Sequence, residues 1–491
     1  MKQIVFLTTL LLGAGYFLAA CSEKPAGDSS DLATEPTVVR EGKPLPPQDD
    51  SYEIQINVKG FDGDTALLAV RYGASNRLRD TVQVQDGIFT FQGDTALAGG
   101  MYMVVLPPEN IFFELIIDRD QHFSVETDTS DLVGHLVVEG CEENELMYRD
   151  IGVIARMRPK ADSIGALLGQ EEEGSPRYQA LMSSMSDIDS AVVRHRRQIT
   201  QEYGDWLYGK FLNTMMEPTI PATITDQDAR FWWYKEHYFD HVDFSDDRLL
   251  RTVALDQKAT TYLENLTFRD PDSINSSIDK IISQAEENDE VFQYFVPTLL
   301  NKYIESKMMG YDGIYVHMVE TYYLSGKAWW ADSASLAKME ERAVALSPNL
   351  IGRLAPDFAA PDLSGQTRSL HNTKGRFTIL YFWDYDCSHC KKVTPELARV
   401  YDKFKNQDIA LFTVSINGTL DIWKERIKEY GFTAGIHTAD PARTSGFDRM
   451  YDLRSTPRVF VLDENKIIRY KSLTMEQLEE VLNHELENPA E

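Results

Sequence analysis

Apolar and polar residues follow two rhythms along this chain, and the rhythm changes twice. From Tyr52 the period is two: Tyr52, Ile54, Ile56 and Val58 are separated by Glu53, Gln55 and Asn57. That is the spacing of a strand with one buried face. Short runs at 66–70, 81–84, 88–91, 101–106 and 112–117 follow, divided by Gly, Asp and Pro. Asp86-Gly87, between two of these runs, predicts a hairpin. Short strands so spaced predict a small antiparallel β-sandwich over 51–141. From 142 to 350 the period becomes helical. Ile278, Ile281, Ile282 and Ala285 share one face, as do Met182, Met185, Ile188, Val192 and Ile199, which predicts an all-α domain. Pro218, Pro221 and Pro271 punctuate it. Further on, 377–383 is an unbroken apolar run rich in β-branched and aromatic residues, which suits a buried strand, and 393–404 suits a helix.

Length and charge narrow the field. A chain of 491 residues fits about three domains. An apolar fraction of 43% and an aromatic fraction of 11% supply material for packed cores. The formal net charge is −28, and no long Lys/Arg cluster interrupts it. Nucleic acid is therefore excluded as a partner.

Residues 1–21 read as a targeting segment, with Lys2 at the basic end and an apolar stretch over 4–12. Leu18-Ala19-Ala20-Cys21 resembles the bacterial lipobox. That resemblance implies cleavage before Cys21 and lipid on it, and so an anchor in the cell envelope. The expected location is the outer membrane, facing the periplasm. Residues 22–50 carry Pro, Gly, Ser and Asp with little apolar pattern and read as a flexible tether.

The strongest chemical signal follows the 377–383 run, which ends at Trp383. Asp386 precedes Cys387-Ser388-His389-Cys390, and Lys391, Lys392 and Pro395 come after. A CxxC at a strand-to-helix junction puts its first thiol beside free helix N–H groups, which stabilise a thiolate. Its second thiol stands one turn on, placed to attack a mixed disulfide. Downstream, Thr456-Pro457 opens an apolar run at 458–462. Together these features resemble the thioredoxin superfamily, and the span from Cys387 to Pro457 resembles its TlpA/ResA-like branch, which carries a central insertion. The resemblance implies an α/β thioredoxin-like fold over 351–491. Its further elements are a strand at 409–415, a helix at 420–430, an antiparallel pair at 458–462 and 466–470, and a last helix at 475–485. It also implies a cis peptide before Pro457, facing the CxxC, and a substrate chain pairing with the backbone near Thr456 and Pro457.

Other readings of the CxxC fit less well. A structural zinc needs a second ligand pair. Haem attachment needs His after the second Cys, where Lys391 stands. Peroxidase chemistry needs Pro and Thr or Ser where Leu380 and Asp384 stand. His237 and His241 lie at helical i, i+4 spacing, but Glu236 precedes the first His, so no zincin motif forms. No metal is expected. Trp232, Trp233, Trp329 and Trp330 fit an aromatic-rich core or seam. Cys141 is expected to be a small buried residue. The β and helical segments resemble domains of Bacteroidetes-type lipoproteins that end in a thioredoxin fold; they imply no chemistry of their own.

The expectation is thus a lipid-anchored thiol–disulfide oxidoreductase of the cell envelope. It would act on protein thiols and disulfides, trade electrons with an envelope donor or acceptor, and need no cofactor beyond its cysteine pair. His389, when protonated, would favour the Cys387 thiolate, as in the more oxidising members of the superfamily. Two positions depart from the family pattern: Asp386 replaces a Trp, and Tyr381 holds the place of a buried acid. The alternative is a ligand- or partner-binding envelope lipoprotein whose thioredoxin fold is structural or redox-sensing.

Overall fold

The computed structural model describes residues 42–304, 306, 308–432 and 434–487. Cys21 and the targeting segment lie outside the described residues. The chain divides into two compact units, 1–262 and 263–491.

The first unit opens with eight strands: Tyr52–Lys59 (β1), Thr65–Tyr72 (β2), Ser75–Gln83 (β3), Ile88–Gly93 (β4), Gly100–Leu106 (β5), Ile111–Ile117 (β6), His122–Asp128 (β7) and Val137–Glu139 (β8). They form two four-stranded sheets, β4-β1-β7-β8 and β3-β2-β5-β6. The inward residues of one, such as Ile54, Ile56, Phe91 and Val125, share a core with Leu68, Val104, Phe113 and Leu115 of the other. This is the expected sandwich, antiparallel except where β1 runs parallel to β7. Asp86 and Gly87 both take positive φ, 53° and 77°, as a tight hairpin turn requires. The strands they join nevertheless part. Gln85 bridges Ile88, and then β3 and β4 enter different sheets. The dipeptide fixed the turn, while the pairing followed the burial of Phe89 and Phe91 against β1. Helices Glu142–Leu168 (α1), Pro176–Glu202 (α2), Leu207–Met215 (α3), Gln227–His237 (α4) and Ala254–Asn265 (α5) follow. On α2 only Met185 and Ile199 are fully buried; Met182, Ile188 and Val192 are partly covered. His237 binds Asp240 at 2.7 Å and stacks on Trp233.

The second unit contains Pro271–Ala285 (α6), Asp289–Ile304 (α7), Asp312–Met318 (α8) and Ser333–Leu346 (α9). Asp270 caps α6 by accepting from the Ser273 N–H at 2.8 Å, with Pro271 in the first turn. That start suits both residue types. Trp329 stacks on Phe292 but is 55% exposed, as Trp232 of the first unit is 52% exposed. These two tryptophans are therefore not core residues.

The rest of the unit runs Ala359–Pro361 (β9), Thr367–Ser369 (β10), Phe377–Trp383 (β11), Ser388–Phe404 (α10), Ile409–Ser415 (β12), Leu420–Glu429 (α11), Ile436–Ala439 (β13), Phe447–Met450 (α12), Arg458–Asp463 (β14), Ile468–Lys471 (β15) and Met475–Glu487 (α13). Five strands form one sheet in the order β13-β12-β11-β14-β15. The first three are parallel, and β14 and β15 are antiparallel to their neighbours. All seven residues of β11 are buried. Phe377, Ile379, Tyr381 and Trp383 face the cluster with α10, α11 and α13, while Leu380 and Phe382 face Phe358, Phe447 and Tyr451 on the other side. Burial on both faces is why β11 shows no alternation in sequence. Helix α11, strand β13 and helix α12 all lie between β12 and β14.

Candidate functional site

Helix α10 starts at Ser388, so Cys387 is its N-cap, with φ −67° and ψ 121°. Its sulfur accepts from the Cys390 N–H at 3.3 Å. Here a cysteine does what Ser or Asp does at other helix starts, taking up an orphan N–H. Cys387 is partly exposed and Cys390 is fully buried. Both are free thiols. Burial pushes the Cys387 thiol up, but hydrogen bonds with the Cys390 N–H and side chain, with Thr456 and with the His389 N–H outweigh it. The net shift is downward. For Cys390 burial dominates and pushes the thiol up to about 12, against an opposing hydrogen bond from the Asp384 N–H at 3.5 Å. The pair is thereby divided into an accessible thiol that ionises readily and a buried one that does not.

The Thr456–Pro457 bond is cis. The Thr456 carbonyl lies 3.4 Å from the Cys387 sulfur and accepts its S–H. β14 starts right after it and pairs with β11, so the sheet itself brings two distant motifs together.

Each remaining motif residue has a definite place. Trp383 is fully buried under the pair, edge-on to Tyr430 at 5.7 Å. Asp386 is exposed; its N–H donates to Asp384 Oδ1 at 2.9 Å and its carboxylate takes Lys391 at 3.3 Å. Its charge thus faces a lysine. Ser388 and His389 are exposed in the first turn of α10. At position 389 the backbone N–H acts on the thiol, and the imidazole stands in solvent. Pro395 is exposed within α10. Tyr381, at the place of a buried acid, shares a hydrogen bond with Thr394 Oγ1 at 2.8 Å. Burial raises its pKa far above the usual phenol value. Cys141 lies in the β core, where Asn144 Nδ2 donates to its sulfur at 3.1 Å. Burial pushes that thiol up to about 12.

Sequence reasoning passed over four residues here. Asp384 supplies an N–H to Cys390, and Tyr430 packs edge-on against Trp383 in the same cluster. Gly418, at φ 101°, lets Tyr385 pack where a Cβ would come within 2.9 Å of its ring. Asn417-Gly418 after β12 is a turn signal that could have located this contact. His437 on β13 is buried and shares a hydrogen bond with Thr413 Oγ1 at 2.9 Å. Among the described residues no group of three or more His, Cys, Asp or Glu could hold a metal ion. No helix among them is long and apolar enough to cross a membrane.

Sheet order, an N-terminal CxxC on α10 and a cis-proline opposite define a thioredoxin-like domain. Comparison with known families agrees: residues 351–471 match the AhpC/TSA family. Residues 52–147 and 167–347 match two domains of unknown function, DUF4369 and DUF5106. The chain is similar to the thiol-disulfide oxidoreductase ResA of Bacillus cereus, 27% identical over 132 residues, covering 26% of this chain and 75% of that protein. It is also similar to the thioredoxin-like protein YneN of Bacillus subtilis (strain 168), 25% identical over 136 residues, covering 27% of this chain and 78% of that protein. Among solved structures, a thioredoxin-like protein from Bacteroides caccae ATCC 43185 aligns with a TM-score of 0.43 and 20% identity, over 55% of this chain and 98% of that one.

Proposed function

We propose that this chain is a thiol–disulfide oxidoreductase that exchanges disulfides with protein substrates through Cys387 and Cys390. The observation that carries the reading is the division of labour in the pair: Cys387 is accessible with a lowered pKa, and Cys390 is buried with a raised one. In the reducing direction the Cys387 thiolate attacks one sulfur of a substrate disulfide. A Cys387–substrate disulfide forms, and the other substrate sulfur leaves as thiolate and takes a proton from solvent. Cys390 loses its proton to solvent and attacks the Cys387 sulfur. The intramolecular disulfide forms and the second substrate thiolate departs. Two electrons pass from the pair to the substrate, so the chemistry needs neither metal nor organic cofactor. An envelope electron donor or acceptor returns the pair to its starting state.

The partly exposed Thr456 backbone beside Cys387 supports binding of the substrate chain as an added strand. Lipid on Cys21 and a tether over 22–50 would hold this domain at the envelope membrane, most simply the periplasmic face of the outer membrane. An intact pair with one prepared thiol favours exchange over a purely structural role.

The test is turnover of a disulfide substrate by the wild type and by Cys387→Ser, with the reduction potential measured against glutathione buffers. Activity lost in Cys387→Ser with an unchanged circular dichroism spectrum supports the reading. A pair that never forms a reversible disulfide refutes it. A potential near about −270 mV marks a reductase, and one near about −120 mV an oxidant.

A further inference from the structure

A cleft of about 270 Å³ opens in the second unit. Phe447 and Tyr451, both buried, form its floor, and Ile416 and Leu453 add apolar wall. Helix α9 supplies another side through Glu341 and Ala345, one helical turn apart. That side is held in place: Asn349 Nδ2 donates to the Ala345 carbonyl at 2.9 Å and to the Met450 carbonyl, at the end of α12, at 3.0 Å. Helix α9 ends the segment that matches DUF5106.

Two of its walls lead to the reacting thiol. The Ile416 N–H donates to the Trp383 carbonyl at 3.0 Å. The next residues of that loop follow the chain toward Cys387: Asn417 Nδ2 donates to Asp384 Oδ2 at 3.5 Å, and Gly418 lies against Tyr385. On the other wall, Arg454 and Leu453 stand two and three residues before Thr456. The Thr456 carbonyl is 3.4 Å from the Cys387 sulfur. Neighbouring Cα atoms lie about 3.8 Å apart, so the Arg454 Cα is within about 8 Å of the Thr456 Cα.

Charge decides what fits the cleft. Arg443 reaches Asp448 at 3.4 Å, and Arg454 reaches Asp452 at 3.5 Å. Each guanidinium on the cleft thus already faces a carboxylate. The Glu341 side chain, exposed on α9, has no ion-pair partner among the described residues. An entering anion would have to displace Asp448 or Asp452. An entering cation meets Glu341 uncontested. The apolar floor suits the methylene stem of a long basic side chain, whose charged head stays at the rim.

We propose that this cleft takes a lysine or arginine side chain of the substrate, two or three residues from its reacting cysteine, with Glu341 meeting the cation. This rests on the exchange reading of the site. There the substrate chain pairs with the backbone at Thr456, and an extended chain advances about 3.3 Å per residue. The substrate residue two or three positions from the cysteine therefore comes level with Arg454 and Leu453. Because the cleft lies on one side of Thr456 only, the basic residue is read on one side of the substrate cysteine only. Helix α9 thereby takes part in substrate choice.

The experiment mixes the reduced full chain with short linear peptides whose single cysteine is disulfide-bonded to thionitrobenzoate. The Cys387 thiolate attacks the peptide sulfur, a Cys387–peptide disulfide forms, and thionitrobenzoate, the more acidic thiol, leaves and reports the rate. The peptides carry lysine, norleucine or glutamate two or three positions before or after the cysteine. On one side of the cysteine, lysine is expected to react about fourfold faster than norleucine, and glutamate slower than both. The advantage should shrink at high salt. It should vanish in Glu341→Gln and pass to the glutamate peptide in Glu341→Lys. Glu341 is exposed, and both substitutions keep a good helix former on α9. The chain's overall negative charge favours a cationic peptide wherever its lysine sits, so the one-sided preference and its dependence on Glu341 are the deciding readings. Equal rates, a preference indifferent to the side of the lysine, or a preference kept in Glu341→Gln overturns the proposal. A wild type that reacts with none of the peptides overturns the exchange reading itself, and this proposal with it.

Discussion

In the reduced protein Cys387 should react with a small electrophile far faster than Cys390, and the structure sets the size of the gap. Cys390 is pushed up to about 12 by burial, so about one molecule in 10⁵ carries its thiolate at pH 7. An ordinary thiol near pKa 8.5 is about 3% ionised at that pH, and Cys387 lies on the acidic side of ordinary. The thiolate populations therefore differ by a factor of about 3,000 or more. Intrinsic nucleophilicity works the other way. With a Brønsted coefficient of about 0.4–0.5, the more basic thiolate regains a factor of about 40. The net preference for Cys387 is about 80-fold, and the burial of Cys390 adds to it by blocking approach.

The assay is brief alkylation of the reduced chain with iodoacetamide at pH 7, with the modified cysteine located by tandem mass spectrometry and rates taken from the earliest points. Repeating it across pH should show Cys387 labelling level off below the range of a free thiol, while Cys390 labelling still climbs at pH 10. Comparable initial rates, or a faster Cys390, would refute the assignment of attacking and resolving thiols. The error would then lie in the burial of Cys390 or in the N-cap bonds at Cys387.

Three further outcomes follow from the same packing. Lys471 is buried, donating to Asp312 and to the Asn349 carbonyl; Asp312→Ala should destabilise the second unit by about 3 kcal/mol, while the double variant with Lys471→Met recovers most of it, as read from urea unfolding. Asp386 pairs with Lys391 and its side chain is 76% exposed, so Asp386→Asn should change the Cys387 alkylation rate less than about threefold. His437 is held neutral by burial, with its pKa lowered to about 4. Below pH 6.5 the unfolded chain takes up a proton that the folded chain refuses, so up to about 3 kcal/mol of stability is lost as the pH falls from 6.5 to 4. His437→Asn should flatten that part of a stability–pH curve, and an unchanged slope would count against the buried neutral histidine.

How much of this could be seen in the sequence depended on whether the deciding contact was local. β11 was legible because burial on both faces demands an unbroken apolar run, and the N-cap role of Cys387 followed from its place before a helix. The antiparallel pair β14 and β15 and the turn at Asp463 were equally local. Asp463 Oδ1 accepts from the Asn465 and Ile467 N–H groups at 2.9 Å, a short-range bond that Asp favours. By contrast, β7 pairs parallel with β1 across a long stretch of chain, and nothing in either strand's own alternation specifies that direction. β13 is only four residues long, too short for periodicity to register.

The site shows the same boundary at finer grain. The sequence places a carboxylate at 386 and an imidazole at 389 on either side of the Cys387 thiol. Folding sends both side chains into solvent, where water screens them, and leaves the thiol's acidity to hydrogen bonds from the Cys390 and His389 N–H groups and the Cys390 and Thr456 side chains. Backbone N–H groups belong to every residue, so sequence advertises them only through the strand-to-helix junction whose helix start aligns them on one sulfur. Tyr430 was hidden for a related reason. It stands more than forty positions from Cys387 in an ordinary Glu-Tyr-Gly stretch, and only folding brings its ring against Trp383 in the cluster of Cys390. In this domain the cysteines and the cis-proline name the chemistry, while the groups that tune it are supplied by the fold.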